Sequence, residues 1–225
     1  MAKKLMVCII LVFLISGLSF GQAKMGKFAV FAALSLPTGD FGDDKTFGDA
    51  YATTGFGAGI DYAHPLGTEG LTWFSTGAFL YNGFDDKGIK ELAESEGVAN
   101  PNVDSGSWIN IPILTGLRYE TEISPTMDFF ALGQVGLDFY MPPNSDITFE
   151  GGSASVEFDS GTSFTFGLGA GLVFNNKFNV SFRYLSMGEP EIEGTVTSPD
   201  GTENIDPPLE MGISVILLTV GMNLN

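Results

Sequence analysis

An alternation of apolar residues with small or polar ones, repeating at every second position, constrains the fold of this chain more than any other feature. It is cleanest over residues 164–172, where Phe, Leu and Ala alternate with Thr and Gly. Successive side chains of a β-strand point to opposite faces, so this segment predicts a strand with one apolar face. Eight segments of the chain repeat the pattern. The sequence therefore predicts an all-β fold of eight strands.

The predicted strands are defined by the residues of their apolar faces. Small or polar residues fill the positions between them and form a second face. The third strand, Leu71–Gly83, is ambiguous, because either Trp73 or Phe74 fits the apolar face. The apolar faces of the other seven are, in chain order, Phe28, Val30, Ala32 and Leu34; Phe56, Ala58, Ile60 and Tyr62; Ile109, Ile111, Ile113, Leu117 and Tyr119; Phe129, Ala131, Val135, Leu137 and Phe139; Phe164, Phe166, Leu168, Ala170, Leu172 and Phe174; Phe178, Val180, Phe182 and Tyr184; and Ile216, Leu218, Val220, Met222 and Leu224.

Connections between the predicted strands alternate between short and long. Short turns at one rim and long loops at the other are typical of antiparallel up-and-down barrels in bacterial outer membranes. We therefore expect an eight-stranded transmembrane β-barrel with short periplasmic turns and long extracellular loops. The short connections are Pro65–Gly70, Thr121–Thr126 and Asn175–Asn176, and the long ones are Thr38–Ala52, Gly83–Ser107, Met141–Gly161 and Ser186–Glu210.

The spacing of aromatic residues favours a membrane barrel over a soluble one. Phe129 and Phe139 are ten residues apart on one face, and Trp108 and Tyr119 are expected to bracket the fourth strand in a similar way. Ten residues that each rise about 3.3 Å, tilted by roughly 40°, span about 25 Å, the height of the apolar band of such barrels. The alternative is a soluble barrel of the lipocalin type. Its outer face is polar, whereas the second face here is mostly Gly, Ser and Thr.

The first residues have the layout of a secretory signal peptide. Two lysines precede the apolar run Leu5–Leu14, and a cleavage site of small residues ends at Ala23. A transmembrane anchor helix, the alternative, needs about 20 apolar residues. We expect residues 1–23 to be cleaved and residues 24–225 to form the barrel. Cleavage removes Cys8, the single cysteine, so no disulfide is expected.

Acidic residues are concentrated in the long loops. The four loops hold 21 of the 27 Asp and Glu residues against three lysines, and the whole chain has a formal net charge of −17. Such a surface repels the phosphates of nucleic acid, which excludes nucleic-acid binding. We expect a solvated surface that keeps the loops in water. Binding of divalent cations or of a basic partner is the alternative.

Five charged residues fall within the strands, all on the face that is small or polar. A charge inside a narrow barrel is costly unless it is paired, so we expect an interior network of ion pairs. A selectivity ring or gate is the alternative, but side chains nearly fill the interior of an eight-stranded barrel. The predicted lumen network consists of Asp61, Arg118, Glu120, Asp138 and Arg183.

Sequence patterns that indicate catalysis do not occur. His64, the single histidine, precedes Pro65 at a predicted short turn and is expected to be exposed there. The sequence has no H-E-x-x-H pattern, no phosphate-binding glycine loop and no paired-carboxylate signature. We therefore predict no catalytic residue, no cofactor and no metal ligand, and a protein that is not an enzyme.

Two segments are similar to recurring patterns of a known family. They are Leu36–Phe41, at the end of the first strand, and Trp108–Leu114 in the fourth. They resemble the small outer-membrane β-barrel proteins of Gram-negative bacteria, which include OmpA-like and OmpX-like eight-stranded barrels. The chain departs from them in ending Met222–Asn225, where such barrels often end in an aromatic residue. The resemblance implies residence in the outer membrane of a Gram-negative-type bacterium.

These observations favour a non-enzymatic barrel that is structural or displays its acidic loops at the surface. It is expected to be a monomer in contact with outer-membrane lipids. A narrow passive or gated channel for small solutes, which would be porin-like, is the alternative. An outer-membrane lipid-modifying enzyme is a third and weaker hypothesis, because His64 is predicted at the rim opposite the long loops.

Overall fold

The computed structural model describes residues 26–42, 50–95, 97–150, 152–199 and 201–224. The predicted signal peptide, residues 1–23, lies outside the described residues. Within the described part of the chain, no helix is long and apolar enough to cross a membrane.

Eight antiparallel strands form a closed barrel, which confirms the predicted fold class. Each strand pairs with its neighbours in sequence, and the first pairs with the eighth, so that Phe28 lies opposite Leu224. Closure leaves no free strand edge, as the hydrocarbon of a membrane requires. The barrel strands are Lys27–Pro37, Ala52–Pro65, Leu71–Phe84, Trp108–Ser124, Met127–Met141, Gly161–Phe174, Phe178–Ser186 and Ser214–Leu224.

The predicted apolar faces point outward. Among the described residues, the large hydrophobic side chains that are strongly exposed all lie in barrel strands, and Phe56, Phe164 and Val220 are 62 %, 62 % and 63 % exposed. The ambiguous third strand turns Phe74 into the barrel, where it is 1 % exposed. Alternation therefore places Trp73 on the outer face. An apolar belt of this kind is unfavourable in water and favourable against lipid tails.

Trp108 does not lie where the sequence analysis placed it. Its side chain is 2 % exposed, and its indole N–H donates to the Ala50 carbonyl oxygen at 2.8 Å. It shares the inward face of its strand with Asn110 and Arg118, because residues two apart point the same way. Tyr119, at 52 % exposed, points outward as predicted. The expected bracketing of the fourth strand by two outward aromatics is therefore wrong.

The long connections contain a second sheet, where the sequence analysis predicted loops alone. Its strands have only four to seven residues, too few for alternation to stand out among the acidic residues around them. The order across this five-stranded loop sheet is Gly201–Asn204, Gly194–Ser198, Gly152–Phe158, Ser145–Phe149 and Asn102–Ser105. The connections also contain a two-stranded sheet of Glu191–Ile192 and Leu209–Glu210, the helix Asp86–Ser95 and the 3-10 turn Gly39–Phe41.

The loop sheet has one apolar and one polar face. Ile147 and Val156 of the apolar face line a small cavity together with Ile89 of the helix and Trp108 of the barrel. The sheet therefore lies against the long-loop rim of the barrel. The polar face carries Asp104 directly opposite Asp146, both exposed to solvent. Two like charges at this distance repel each other, and the water around the sheet screens the repulsion.

The outward face of the sixth strand offers a test of the membrane-facing belt. Leu168 is 58 % exposed at mid-strand, and Leu168→Arg should lower the free energy of unfolding by about 2–4 kcal/mol in lipid. Urea unfolding in lipid vesicles measures the change, with Leu168→Met as the matched control. A loss no larger than that of the control would contradict the assignment of this face.

Candidate functional site

The interior of the barrel holds buried charged side chains, and at its middle lies a bidentate ion pair. Arg183 of the seventh strand donates from Nη1 to Asp61 Oδ1 at 3.0 Å and from Nη2 to Oδ2 at 2.6 Å. Asp61 belongs to the second strand, so the pair crosses the lumen. Their side chains are 2 % and 5 % exposed. Paired donors and acceptors of this geometry offset the cost of burying both charges.

Hydroxyl and amide side chains complete the hydrogen bonding of this pair. Arg183 Nε donates to Ser181 Oγ at 3.1 Å, and Ser181 Oγ lies 2.6 Å from Thr219 Oγ1. On the opposite wall Thr76 Oγ1 donates to Asp61 Oδ1 at 2.7 Å and accepts from Gln134 Nε2 at 3.0 Å. We call these six residues the charge layer: Asp61, Thr76, Gln134, Ser181, Arg183 and Thr219.

Small and aromatic neighbours make room for the Arg183 side chain. Its strand partner Gly169 has no Cβ, and a Cβ added there would lie 3.0 Å from Arg183 Cγ. The guanidinium carbon lies 4.8 Å from the ring centroid of Phe31, within the range of a cation–π contact. Gly169, on the inward face of the sixth strand, therefore leaves space in which the Arg183 side chain packs.

A second ion pair lies nearer the short-turn rim. Arg118 donates from Nη2 to Glu120 Oε2, two residues along the same strand. Its guanidinium carbon lies 3.9 Å from the ring centroid of Phe130. Arg118 and Glu120 line a cavity of about 180 Å³ at this rim, together with Asp61 and Lys27. The charge layer thus forms the inner end of a polar cup that opens at the short-turn rim.

Apolar side chains fill the opposite end of the barrel. They come from the inward ends of the strands and from the long connections, and all are at most 5 % exposed. Trp108 packs edge-on against Phe41 with ring centroids 5.2 Å apart. We call this set the mouth plug: Phe41, Ala50, Tyr51, Trp108, Met187, Ile192, Met211 and Ile213.

Asp138 is the member of the predicted network that lies apart. It is fully buried on the inward face of the fifth strand. Among the described residues, the ion pairs inside the barrel are Arg183–Asp61 and Arg118–Glu120, and neither includes Asp138. The structure thus brings four of the five predicted residues into two pairs. Register decides this outcome, and register cannot be derived from alternation.

His64 belongs to the second strand, where the sequence analysis expected an exposed turn residue. It is partly buried on the outer face at the short-turn rim, with Nδ1 3.3 Å from Tyr62 Oη. The strand extends further than predicted because His64 pairs with Trp73 and Pro65 with Thr72. Aromatic rings at this height are typical of the membrane interface.

The filled lumen limits what the interior can do chemically. A continuous aqueous pore would leave its lining accessible to water, whereas Asp61, Gln134 and Arg183 are 4 %, 4 % and 2 % exposed. In the described part of the chain, no group of three or more His, Cys, Asp or Glu side chains could hold a metal ion. The arrangement is suited to stabilising the barrel.

Comparison with known proteins supports the architecture. The family model described as outer membrane protein beta-barrel domain matches residues 9–204. No curated protein matches the chain.

Two solved structures illustrate the likeness of fold. A major outer membrane protein from Thermus thermophilus superposes with a TM-score of 0.56 at 10 % identity, over 89 % of this chain and 100 % of that chain. Neisserial surface protein A superposes with a TM-score of 0.50 at 10 % identity, over 91 % of this chain and 99 % of that chain. At such low identity the likeness concerns the fold alone.

Removing one partner of the central ion pair should destabilise the barrel strongly. Arg183→Met leaves the Asp61 carboxylate buried without its cation, which typically lowers the free energy of unfolding by about 3–5 kcal/mol. Adding Asp61→Asn should recover part of this loss, because the double variant has no uncompensated charge. Urea unfolding of the two single variants and the double variant measures the coupling. Strictly additive losses would show that the two residues stabilise the barrel independently.

Proposed function

The chain belongs to the outer membrane protein β-barrel domain family and lies in the outer membrane, and we propose that it is a closed, non-enzymatic barrel that displays its loop sheet. In this proposal the barrel supports the sheet and conducts no solutes. The main support for this proposal is that side chains fill the lumen at two levels, in the charge layer and in the mouth plug.

The loop sheet supports the display part of the proposal. Barrels that serve only as membrane anchors have no need of ordered structure beyond the rim, whereas here three connections combine into five paired strands. The polar face holds exposed acids such as Asp104 and Asp146 beside a row of hydroxyl side chains. An acidic surface of this kind stays hydrated, and a basic partner or divalent cations are the ligands that its charge favours.

A passive or gated channel is the competing function, and conductance separates the two. The wild-type protein in planar bilayers should give no stepwise conductance, because the charge layer leaves no continuous path for water. Arg183→Met should lose stability and still give no steps, since the mouth plug is unchanged. A porin reconstituted in the same way provides the positive control. Clear conductance in the wild type, or a conductance change at unchanged stability in Arg183→Met, would favour the channel.

The orientation of the barrel can be tested with single cysteines, because the predicted mature chain contains none. Thr202→Cys, on the exposed edge strand of the loop sheet, should react with a membrane-impermeant maleimide on intact cells. Thr68→Cys, in the exposed turn after the second strand, is the matched control and should react only after the outer membrane is opened. The reverse pattern would place the acidic loops in the periplasm.

A further inference from the structure

The pairing of the third and fourth strands is interrupted at Pro112 of the fourth strand. Pairing with the third strand runs as far as Gly77 and Ile113 and resumes at Leu80 and Asn110. Proline has no N–H to donate and is rarely found within a central strand. The proline accounts for the gap in this ladder, while pairing with the fifth strand continues through Pro112, which lies opposite Asp138.

Polar side chains that bond to no protein group lie just inside this interruption. Asn110, Asp138 and Thr165 are each fully buried. Both carboxylate oxygens of Asp138, both amide atoms of Asn110 and the hydroxyls of Ser163 and Thr165 lack a hydrogen-bond partner among the described residues. We call these four residues the upper polar set. Buried polar groups are nearly always hydrogen-bonded, so such a concentration of unbonded ones indicates that water or an ion bonds to them.

The upper polar set comes from three neighbouring strands of the barrel. Asp138 lies opposite Pro112 on one side and opposite Ser163 on the other. Asn110 and Thr165 are each one inward position away from those partners, on the fourth and sixth strands. Polar side chains from three adjacent strands thus face the lumen around Asp138.

Charge balance identifies the kind of ligand. Asp61 and Glu120, the other carboxylates of the predicted lumen network, have arginine partners in Arg183 and Arg118. Asp138 has no such partner in the described part of the chain. An isolated carboxylate in a low-dielectric interior is unfavourable unless a proton or a bound cation accompanies it. In either form, a single positive charge balances Asp138.

We propose that the upper polar set binds a monovalent hard cation, with sodium as the ion tested. The Asp138 carboxylate supplies the charge and the amide and hydroxyl oxygens supply neutral ligands. Hard cations prefer oxygen ligands of these types. The main-chain N–H groups of Ile111 and Phe139 face the carboxylate, but they are neutral and do not balance its charge. One carboxylate balances the charge of a monovalent ion, whereas a divalent ion would leave one positive charge uncompensated in the interior.

Sodium should therefore stabilise the folded barrel specifically. Urea unfolding of the wild type is measured in sodium chloride and in N-methyl-D-glucamine chloride at equal ionic strength. At about ten times its dissociation constant, sodium should raise the ratio of folded to unfolded protein about tenfold. Asp138→Asn, which keeps the shape and removes the charge, should have the same stability in both salts. Line broadening of the ²³Na resonance by the wild type provides a direct measure of binding.

Two further variants make the test decisive. Asp128→Asn lies on the same strand at the short-turn rim and should keep the full sodium response. Thr165→Val removes one neutral ligand oxygen with little change of shape and should reduce the response, which keeps the test valid if Asp138→Asn fails to fold. Equal stability of the wild type in both salts, without ²³Na broadening, would overturn the proposal and indicate a protonated or water-bonded Asp138. A response retained by Asp138→Asn would overturn it as well.

Discussion

The need to bond every backbone N–H and C=O group within lipid is the constraint on which the rest of this structure depends. It requires a closed wall, and closure with eight strands leaves a lumen so narrow that side chains must fill it. Once the lumen is filled, a charge at its middle is removed from water and needs a partner. The Arg183–Asp61 pair, at 2 % and 5 % exposure, follows from that sequence of requirements.

Glycine and arginine on the inward faces depend on each other. Gly169 has no side chain at the point where Arg183 lies against the wall, and an added Cβ would come within 3.0 Å of both Arg183 Cγ and the Phe182 carbonyl oxygen. The pairing of Gly169 with large apolar neighbours in the sixth strand thus has two causes. Lipid selects the large residues on the outside, and the long Arg183 side chain requires the small residue inside.

Sequence alone was sufficient for the barrel because two different environments face its two sides, and a period of two records them directly. It failed where the environments change. Trp108 lies at the end of its strand, where the lumen becomes the apolar mouth plug, so an aromatic residue there faces inward. The strands of the loop sheet have one face in water, but they are only a few residues long. The acidic residues around them obscure their alternation of apolar and polar residues. Ion-pair partners depended on register, which alternation leaves undetermined.

The mouth plug lies between the barrel and the loop sheet. Trp108 donates to the Ala50 carbonyl oxygen across the first long connection and lines one cavity with Ile147 and Val156 of the sheet. The apolar face of the sheet thus packs toward the plug, and its acidic face is left to solvent. An open lumen would remove the plug and with it the support of the sheet. An ordered loop surface and an open lumen therefore need different side chains at the same positions. In this chain the side chains at those positions are large and apolar.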